Sequence, residues 1–163
     1  MSPVADKDLF RKTWGCFPTG VTVVTFYEDD GIVHGLTANS VSSVSLDPLL
    51  VLVCVDHKAR SFPIMSKRDR FVMSILARDQ EAASSFFARS DTEGSPPFEF
   101  QDTGSGNPYL KGALAYMDCQ VYAKHVAGDH TIFIGKVDEI ELFGGEPLVF
   151  CQGKYTDIVP PGS

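Results

Sequence analysis

Short runs of apolar and β-branched residues, rather than long amphipathic helices, dominate the pattern along the chain. Residues 21–27 (VTVVTFY) and 32–37 (IVHGLT) flank an acidic turn that ends in Gly31, and this arrangement predicts a hairpin. Residues 49–55 (LLVLVCV) are continuously apolar, which predicts a strand buried on both faces. The same criteria predict further strands over residues 71–76, 113–123, 131–142 and 148–155.

Helical spacing is confined to three short segments, residues 6–15, 61–65 and 80–89. Phe10 and Trp14 of the first segment, with Phe17 just after it, are expected to pack in the core rather than to form a stacking platform. Residues 91–108 contain several glycines and prolines without periodicity, so we expect a long loop of the kind that forms lids or binding loops. Strands dominate and βαβ alternation is weak. The sequence therefore predicts a mainly β fold, a closed or split β-barrel with a few peripheral helices.

Length and charge exclude several classes of protein. The 163 residues match one domain, which we expect to span residues 1–163. The net charge of −7 disfavours a general nucleic-acid binder and a polybasic membrane binder. The longest apolar run is far shorter than the roughly 18 residues of a membrane span, and the N-terminus lacks the features of a signal peptide. We therefore expect a cytoplasmic protein with neither nucleic acid nor membrane as a partner.

Cysteine usage points to a reducing compartment and away from metal chemistry. Cys16, Cys54, Cys119 and Cys151 are widely separated and form no Cys-x-x-Cys pair. They are expected to be reduced thiols that pack as small hydrophobic groups, buried or partly buried. Neither they nor the four histidines show the short ligand spacing of a zinc site, so we expect no metal.

A polar segment lies between two strongly apolar strands. Residues 37–45 (TANSVSSVS) include four serines, one threonine and one asparagine. Hydroxyl and amide groups at a strand end suit a ligand rich in acceptors, such as a phosphate or the edge of a flavin ring. The alternative is a polar turn whose side chains cap their own backbone. The segment alone leaves both interpretations open.

The charge of the chain reverses sign locally. Five of the fourteen Lys and Arg residues fall within residues 58–70, where Asp69 is the only acid. That stretch carries +4, so the other residues carry −11 in a total of −7. A helix beginning at Ser61 beside Lys58 and Arg60 predicts a phosphate cradle. The alternative is a solvated surface helix, which is what most charge runs form.

One histidine stands at the start of a predicted strand. His130 follows a Gly-Asp turn, where it would meet a ligand at the rim of a barrel or serve as an ordinary structural histidine. The chain contains no Gly-x-Gly-x-x-Gly, no phosphate-binding P-loop and no Gly-x-Ser-x-Gly elbow. Rossmann-type dinucleotide binding and α/β-hydrolase chemistry are therefore unsupported.

Five motifs follow one another in a fixed order: residues 17–25 (FPTGVTVVT), 34–45 (HGLTANSVSSVS), 47–48 (DP), 112–115 (GALA) and 128–137 (GDHTIFIGKV). Through these motifs the chain from Leu9 to Tyr155 resembles the flavin reductase family, short NAD(P)H:flavin oxidoreductases that include the reductase components of two-component flavin monooxygenases. The resemblance implies an FMN-binding, Greek-key split β-barrel that forms a homodimer, with the flavin near the subunit interface. The implied activity is hydride transfer from NADH, or less favourably NADPH, to FMN or FAD, with reduced flavin passing to a separate oxygenase.

The resemblance also implies roles for individual residues. Residues facing the isoalloxazine edge would be Thr37, Ala38, Asn39 and Ser40, with Ser45 of the same segment as a further candidate. Residues along the ribityl chain and phosphate would be Val55, Asp56, Lys58, Arg60 and Ser61. His130 would line the nicotinamide position. Two alternative functions stay open: a flavoprotein that holds FMN tightly and passes electrons to a protein or metal chelate, and a non-catalytic flavin-binding module.

Overall fold

The computed structural model describes residues 4–91 and 94–159, and within these ranges the elements are mostly strands. The helices are α1 (Lys7–Gly15), α2 (Phe62–Met65) and α3 (Glu81–Phe87). The strands are β1 (Thr19–Gly20), β2 (Thr22–Tyr27), β3 (Val33–Ala38), β4 (Val41–Leu46), β5 (Leu49–Asp56), β6 (Arg70–Ile75), β7 (Phe100–Asp102), β8 (Pro108–Leu110), β9 (Ala115–Ala127), β10 (His130–Leu142), β11 (Val149–Cys151) and β12 (Lys154–Thr156).

Seven of these strands form one antiparallel sheet in the order β3-β2-β6-β9-β10-β5-β4. The sheet curls so that β3 approaches β5, and its inner face encloses a core that includes Val24, Val53, Phe71 and Phe133. The predicted mainly β, split-barrel fold is confirmed. Among the described strands β3 pairs only with β2, so its other edge carries backbone groups that none of these strands covers.

The longest hairpin shows how local sequence sets the register. Strands β9 and β10 pair from His130 opposite Ala127 to Leu142 opposite Ala115. The two-residue link contains Gly128, whose positive φ of 65° suits the tight turns that connect twisted strands. This turn places His130 at the first position of β10, opposite Asp56 of β5.

Strand β5 is buried on one face, so the prediction of burial on both faces was wrong. Val51, Val53 and Val55 point into the core, whereas Leu52 and Cys54 on the other face are half-buried. An antiparallel sheet can bury one face against the core and leave the other face open to solvent. The apolar residues on the outer face of β5 therefore do not imply that this face is buried.

Helix α1 begins as its sequence predicts but buries none of its residues. Asp6 caps it, because its Oδ1 accepts hydrogen bonds from the backbone N–H groups of Asp8 (2.9 Å) and Leu9 (2.8 Å). Phe10, Trp14 and Phe17 are 69%, 61% and 60% exposed, so the predicted core packing of this aromatic group was wrong. Helical spacing predicts an apolar face but does not tell what covers that face.

Two C-terminal segments contain short hairpins that the pattern did not predict. The expected loop over residues 91–108 includes β7, which pairs with β8. The expected single strand over residues 148–155 is divided into β11 and β12 by a turn at Gln152 and Gly153, both with positive φ. Strands of three residues are too short to show a period-two alternation.

The cysteines form no disulfide, but they differ in exposure. Cys119 is buried and Cys54 and Cys151 are half-buried, as expected, whereas Cys16 is exposed. Within residues 4–91 and 94–159, no group of three or more His, Cys, Asp or Glu side chains is arranged to hold a metal ion. In the same ranges no helix is long and apolar enough to cross a membrane.

Candidate functional site

A cavity of about 240 Å³ lies between the free edge of β3, the segment that follows β5 and the C-terminal end of α3. It brings together nine of the eleven residues predicted from sequence: Thr37, Ala38, Asn39, Ser40, Val55, Asp56, Arg60, Ser61 and His130. These residues come from three separate parts of the chain. The curling of the sheet, which brings β3 towards β5, places them around one space.

The polar segment of residues 37–45 runs from the end of β3 into β4, and it shows features of both interpretations that its sequence left open. Thr37 Oγ1 donates to the carbonyl of Ser84 (2.6 Å), and Ser40 Oγ donates to the carbonyl of Cys54 (3.0 Å). Both hydroxyl protons are therefore used within the protein. Asn39 is exposed and lines the cavity, so its amide can donate to a ligand there.

Two predicted site residues do not line the cavity. Ser45 lies at the far end of β4, where its Oγ accepts from the backbone N–H of Asp47 (3.2 Å) in the turn to β5. Lys58 is exposed, and its backbone N–H donates to Asp56 Oδ1 (2.8 Å). This local bond turns the chain so that Arg60, two residues later, faces the cavity and Lys58 does not.

The predicted helix at Ser61 is a single turn, α2, and Ser61 makes no side-chain capping bond. A helix dipole depends on several aligned peptide units, so one turn contributes little to anion binding. The cationic character at this end of the cavity therefore rests on the guanidinium of Arg60.

His34 also lines the cavity, on the same strand as Thr37. Its Nδ1 lies 2.7 Å from Glu28 Oε1, and its ring stacks on Phe26 with centroids 5.6 Å apart. Burial lowers the pKa of His34; Glu28 opposes this shift and Arg60 adds to it, so the surroundings favour the neutral imidazole. The sequence analysis missed His34 as a site residue, although it stands in the 34–45 motif.

The end of α3 supplies one wall that the sequence analysis also missed. This wall consists of Phe86, Phe87, Ala88, Arg89 and Ser90, followed by Gly94 and Pro96. Arg89 is held by Asp91 through two bonds, Nε to Oδ1 (2.9 Å) and Nη2 to Oδ2 (2.8 Å). The hydrogen bond from Arg89 lowers the pKa of Asp91. In the sequence, Phe86 and Phe87 indicated only the packing face of a helix and not a binding site.

His130 enters the cavity from the opposite side, at the start of β10. Its Nδ1 lies 2.7 Å from Asp129 Oδ1, and this hydrogen bond lowers the pKa of the Asp129 carboxyl. The bond orients the ring and directs Nε2 away from Asp129. Asp56, opposite His130 in the ladder, lines the same region of the cavity.

A second cavity adjoins the first through Asn39, Ser40 and Cys54, which line both. Its other walls include Trp14 and Phe17, whose rings stack with centroids 5.4 Å apart. The exposed aromatic side chains of the N-terminal segment therefore border the candidate site.

The residues around the first cavity fit a phosphorylated, acceptor-rich ring system such as a flavin nucleotide. The edge of β3 and the Asn39 amide offer hydrogen-bonding groups at one end, and Arg60 offers a cation near His34 at the other. From His34 to Ser40 the extended chain spans about 20 Å at about 3.3 Å per residue. An elongated ligand with a ring at one end and a phosphate at the other matches this distribution.

Comparison with known proteins agrees with this chemistry. The chain is 42% identical over 150 residues to an NADH-dependent flavin reductase of a Rhodococcus species, covering 91% of this chain and 84% of that protein. It is 34% identical over 156 residues to the flavin-dependent monooxygenase reductase subunit HsaB of Rhodococcus jostii, covering 95% and 80%. The solved structure of the Streptomyces globisporus C-1027 NADH:FAD oxidoreductase SgcE6, in complex with NAD and FAD fragments, has a TM-score of 0.91 at 33% identity, with both chains fully covered. The model of the flavin reductase like domain matches residues 14–159, and the chain belongs to this family.

Proposed function

We propose that this protein is an NADH-dependent flavin reductase that transfers hydride to FMN or FAD and supplies the reduced flavin to a separate oxygenase. The observation that carries the proposal is the single cavity in which the edge of β3, Arg60 and His130 meet. The similarity to an NADH-dependent flavin reductase and to a monooxygenase reductase subunit supports the same activity. This similarity does not favour the two alternative functions, a flavoprotein that holds FMN tightly and a non-catalytic flavin-binding module.

Each part of the cavity has a proposed task. The edge of β3 from Thr37 to Ser40, with the Asn39 amide, binds the edge of the flavin ring. Arg60 and Ser61 hold the phosphate, and Val55 and Asp56 lie along the ribityl chain. When bound, the flavin supplies the ring that accepts the hydride, so the task of the protein is to hold the two reactants in a productive geometry.

His130 is proposed to position the nicotinamide. Its bond to Asp129 limits rotation of the ring, which lowers the entropy lost when a substrate packs against it. Hydride transfer itself requires no general base, so His130 serves binding and orientation. We propose NADH rather than NADPH as the hydride donor, since one relative is named as NADH-dependent. We propose both FMN and FAD as acceptors; the similar solved structure with NAD and FAD fragments supports FAD.

We also propose that the protein is a homodimer with the flavin near the subunit interface. Two groups of exposed apolar side chains support this: Trp14 and Phe17 beside the site, and Val44 and Leu46 on β4, where Leu46 is 87% exposed. Large apolar side chains exposed together in this way are expected at an interaction site. Sedimentation velocity should give a dimer for the wild type and a folded monomer for Leu46→Glu; a monomeric wild type would contradict the proposal.

The absence of disulfides is in keeping with the proposed cytoplasmic location.

The experiment that tests the activity is anaerobic mixing of the protein with NADH and either FMN or FAD. We expect rapid loss of oxidised-flavin absorbance with both flavins, and a slower reaction when NADPH replaces NADH. Mixtures without protein provide the background rate. If neither flavin is reduced faster than in that background, the proposed function is wrong.

A further inference from the structure

We propose that His34 is a phosphate-binding residue, and that its imidazole takes up a proton when the phosphate or diphosphate of the flavin enters beside Arg60. This inference rests on the proposed function, since it concerns the same cavity. It assigns a role to a buried side chain whose position the reductase mechanism leaves unexplained.

The geometry presents one nitrogen of His34 to the ligand. The ring is held between Phe26, on which it stacks, and Glu28, which lies 2.7 Å from Nδ1. A carboxylate at that distance accepts the Nδ1 proton, which fixes the tautomer of the neutral ring. Nε2 is then the nitrogen left for the cavity that His34 lines.

In the free protein the surroundings of the ring disfavour a proton on this nitrogen. The side chain of His34 is only 10% exposed, and burial together with the nearby Arg60 cation outweighs the attraction of Glu28. Among the residues that the structure describes, the other titratable or charged groups that line the cavity are Cys54, Asp56, Arg89 and His130. A neutral Nε2 is a hydrogen-bond acceptor, as are the oxygens of a phosphate, so the two repel each other.

Binding of an anion beside Arg60 reverses this balance. The negative charge offsets the effect of Arg60 and favours the imidazolium, whose Nε2–H donates to a phosphate oxygen. The pKa of His34 is then higher in the complex than in the free protein. By linkage, binding takes up protons: affinity is highest at low pH and falls as pH rises through the pKa of the complex.

FAD is the best probe, because its diphosphate does not titrate over the range in which histidine does, about pH 5.5–8. The dissociation constant would be measured by titration calorimetry across this range, in two buffers that differ in ionisation enthalpy. Riboflavin, which lacks phosphate, is the matched control ligand. The same measurement with FMN shows whether a single phosphate has the same effect as the diphosphate of FAD.

For the wild type we expect proton uptake with FAD and FMN but not with riboflavin. The affinity for FAD should weaken several-fold from the lower to the upper end of the range, with at most about tenfold per pH unit for one proton. In His34→Gln the pH dependence of FAD binding should disappear while binding persists. In Glu28→Gln, which loses the carboxylate that favours the imidazolium, the transition should move to lower pH.

The outcomes separate this inference from the proposed function. Circular dichroism and thermal melting would establish that both variants are folded. A folded His34→Gln protein with the same pH dependence as the wild type overturns the role of His34, and so does FAD binding to the wild type without proton uptake. A wild type that binds neither FAD nor FMN contradicts the proposed function itself.

Discussion

Gly35 of β3 lies directly against Phe87 of α3, with no room for a side chain between them. A Cβ on Gly35 would be 3.2 Å from Phe87 Cε1 and 2.7 Å from the carbonyl oxygen of Val24. The second of these contacts is with backbone and cannot be relieved by a rotamer change. The absence of a side chain at this position therefore allows α3 to pack close to β3 and form a wall of the cavity.

Replacement of Gly35 by alanine should destabilise the protein by about 1–3 kcal/mol, because the added methyl group overpacks this contact. Displacement of α3 should also weaken flavin binding. Thermal denaturation and flavin titration would measure the two effects. Gly20→Ala is the matched control, since a Cβ there meets nothing within 4 Å. Equal stability of Gly35→Ala and the wild type would argue against the close packing described here.

Arg60→Ala should weaken FMN binding by about 1.5–3 kcal/mol, the usual value of a charge-assisted hydrogen bond. Lys58→Ala should leave the FMN affinity almost unchanged, because Lys58 is exposed and lies outside the cavity. The two variants remove the same charge two residues apart, so the comparison distinguishes direct contact from a general electrostatic effect. Equal losses in both variants would remove Arg60 from its proposed place at the phosphate.

His130→Ala should raise the KM for NADH by about tenfold, which corresponds to the loss of about one hydrogen bond. The affinity for flavin should stay close to the wild-type value, since His130 is assigned to the nicotinamide and not to the flavin. Steady-state kinetics with varied NADH and direct flavin titration would separate the two effects. Asp129→Asn, which weakens the orienting bond at Nδ1, should give a smaller change in the same direction. The reverse pattern, with flavin binding lost and the KM for NADH unchanged, contradicts the assigned role.

The buried carboxylate of Asp118 should control stability in acid. Burial alone raises its pKa, but hydrogen bonds from the side chains of Ser105, Thr103, Arg70 and Asn107 outweigh this, and the net shift is downward. Such a group stabilises the fold at pH values above its unfolded pKa of about 4, and this contribution is lost as pH falls through the lower folded value.

Asp118→Asn should therefore cost about 3 kcal/mol at neutral pH, because Arg70 loses a buried partner that it contacts at 2.9 Å. Thermal unfolding at a series of pH values would show the difference from the wild type shrinking only below about pH 4. The matched control is Asp91→Asn, an exposed carboxylate paired with Arg89, which should leave stability almost unchanged. A constant difference down to the lowest pH would show that ionisation of Asp118 is not the cause.

Local pattern was sufficient for most of the strands. The β-branched run of β2, the hairpin to β3 and the Gly-Asp turn before His130 are each encoded within a few residues, and the structure contains all three. Burial was harder to predict, because it depends on what the rest of the chain places against a face. For this reason the predictions for α1 and for the outer face of β5 were wrong.

The candidate site shows the same division. Residues 37–40 and His130 stand in recognisable motifs, and their chemistry can be read from the sequence. Arg89 carries no distinguishing local pattern. His34 stands in the 34–45 motif, but its place in the site depends on where β3 lies in the fold.

By itself the sequence determined the chemical groups that are available, the strands that carry them and the concentration of positive charge in residues 58–70. Only the tertiary structure decided which of these groups meet. It directs Arg60 and not Lys58 to the cavity, and it brings Arg60 near His34 although the two are distant along the chain. The physical reason is that the direction of a side chain depends on local backbone geometry, whereas its neighbours depend on long-range packing of the whole sheet.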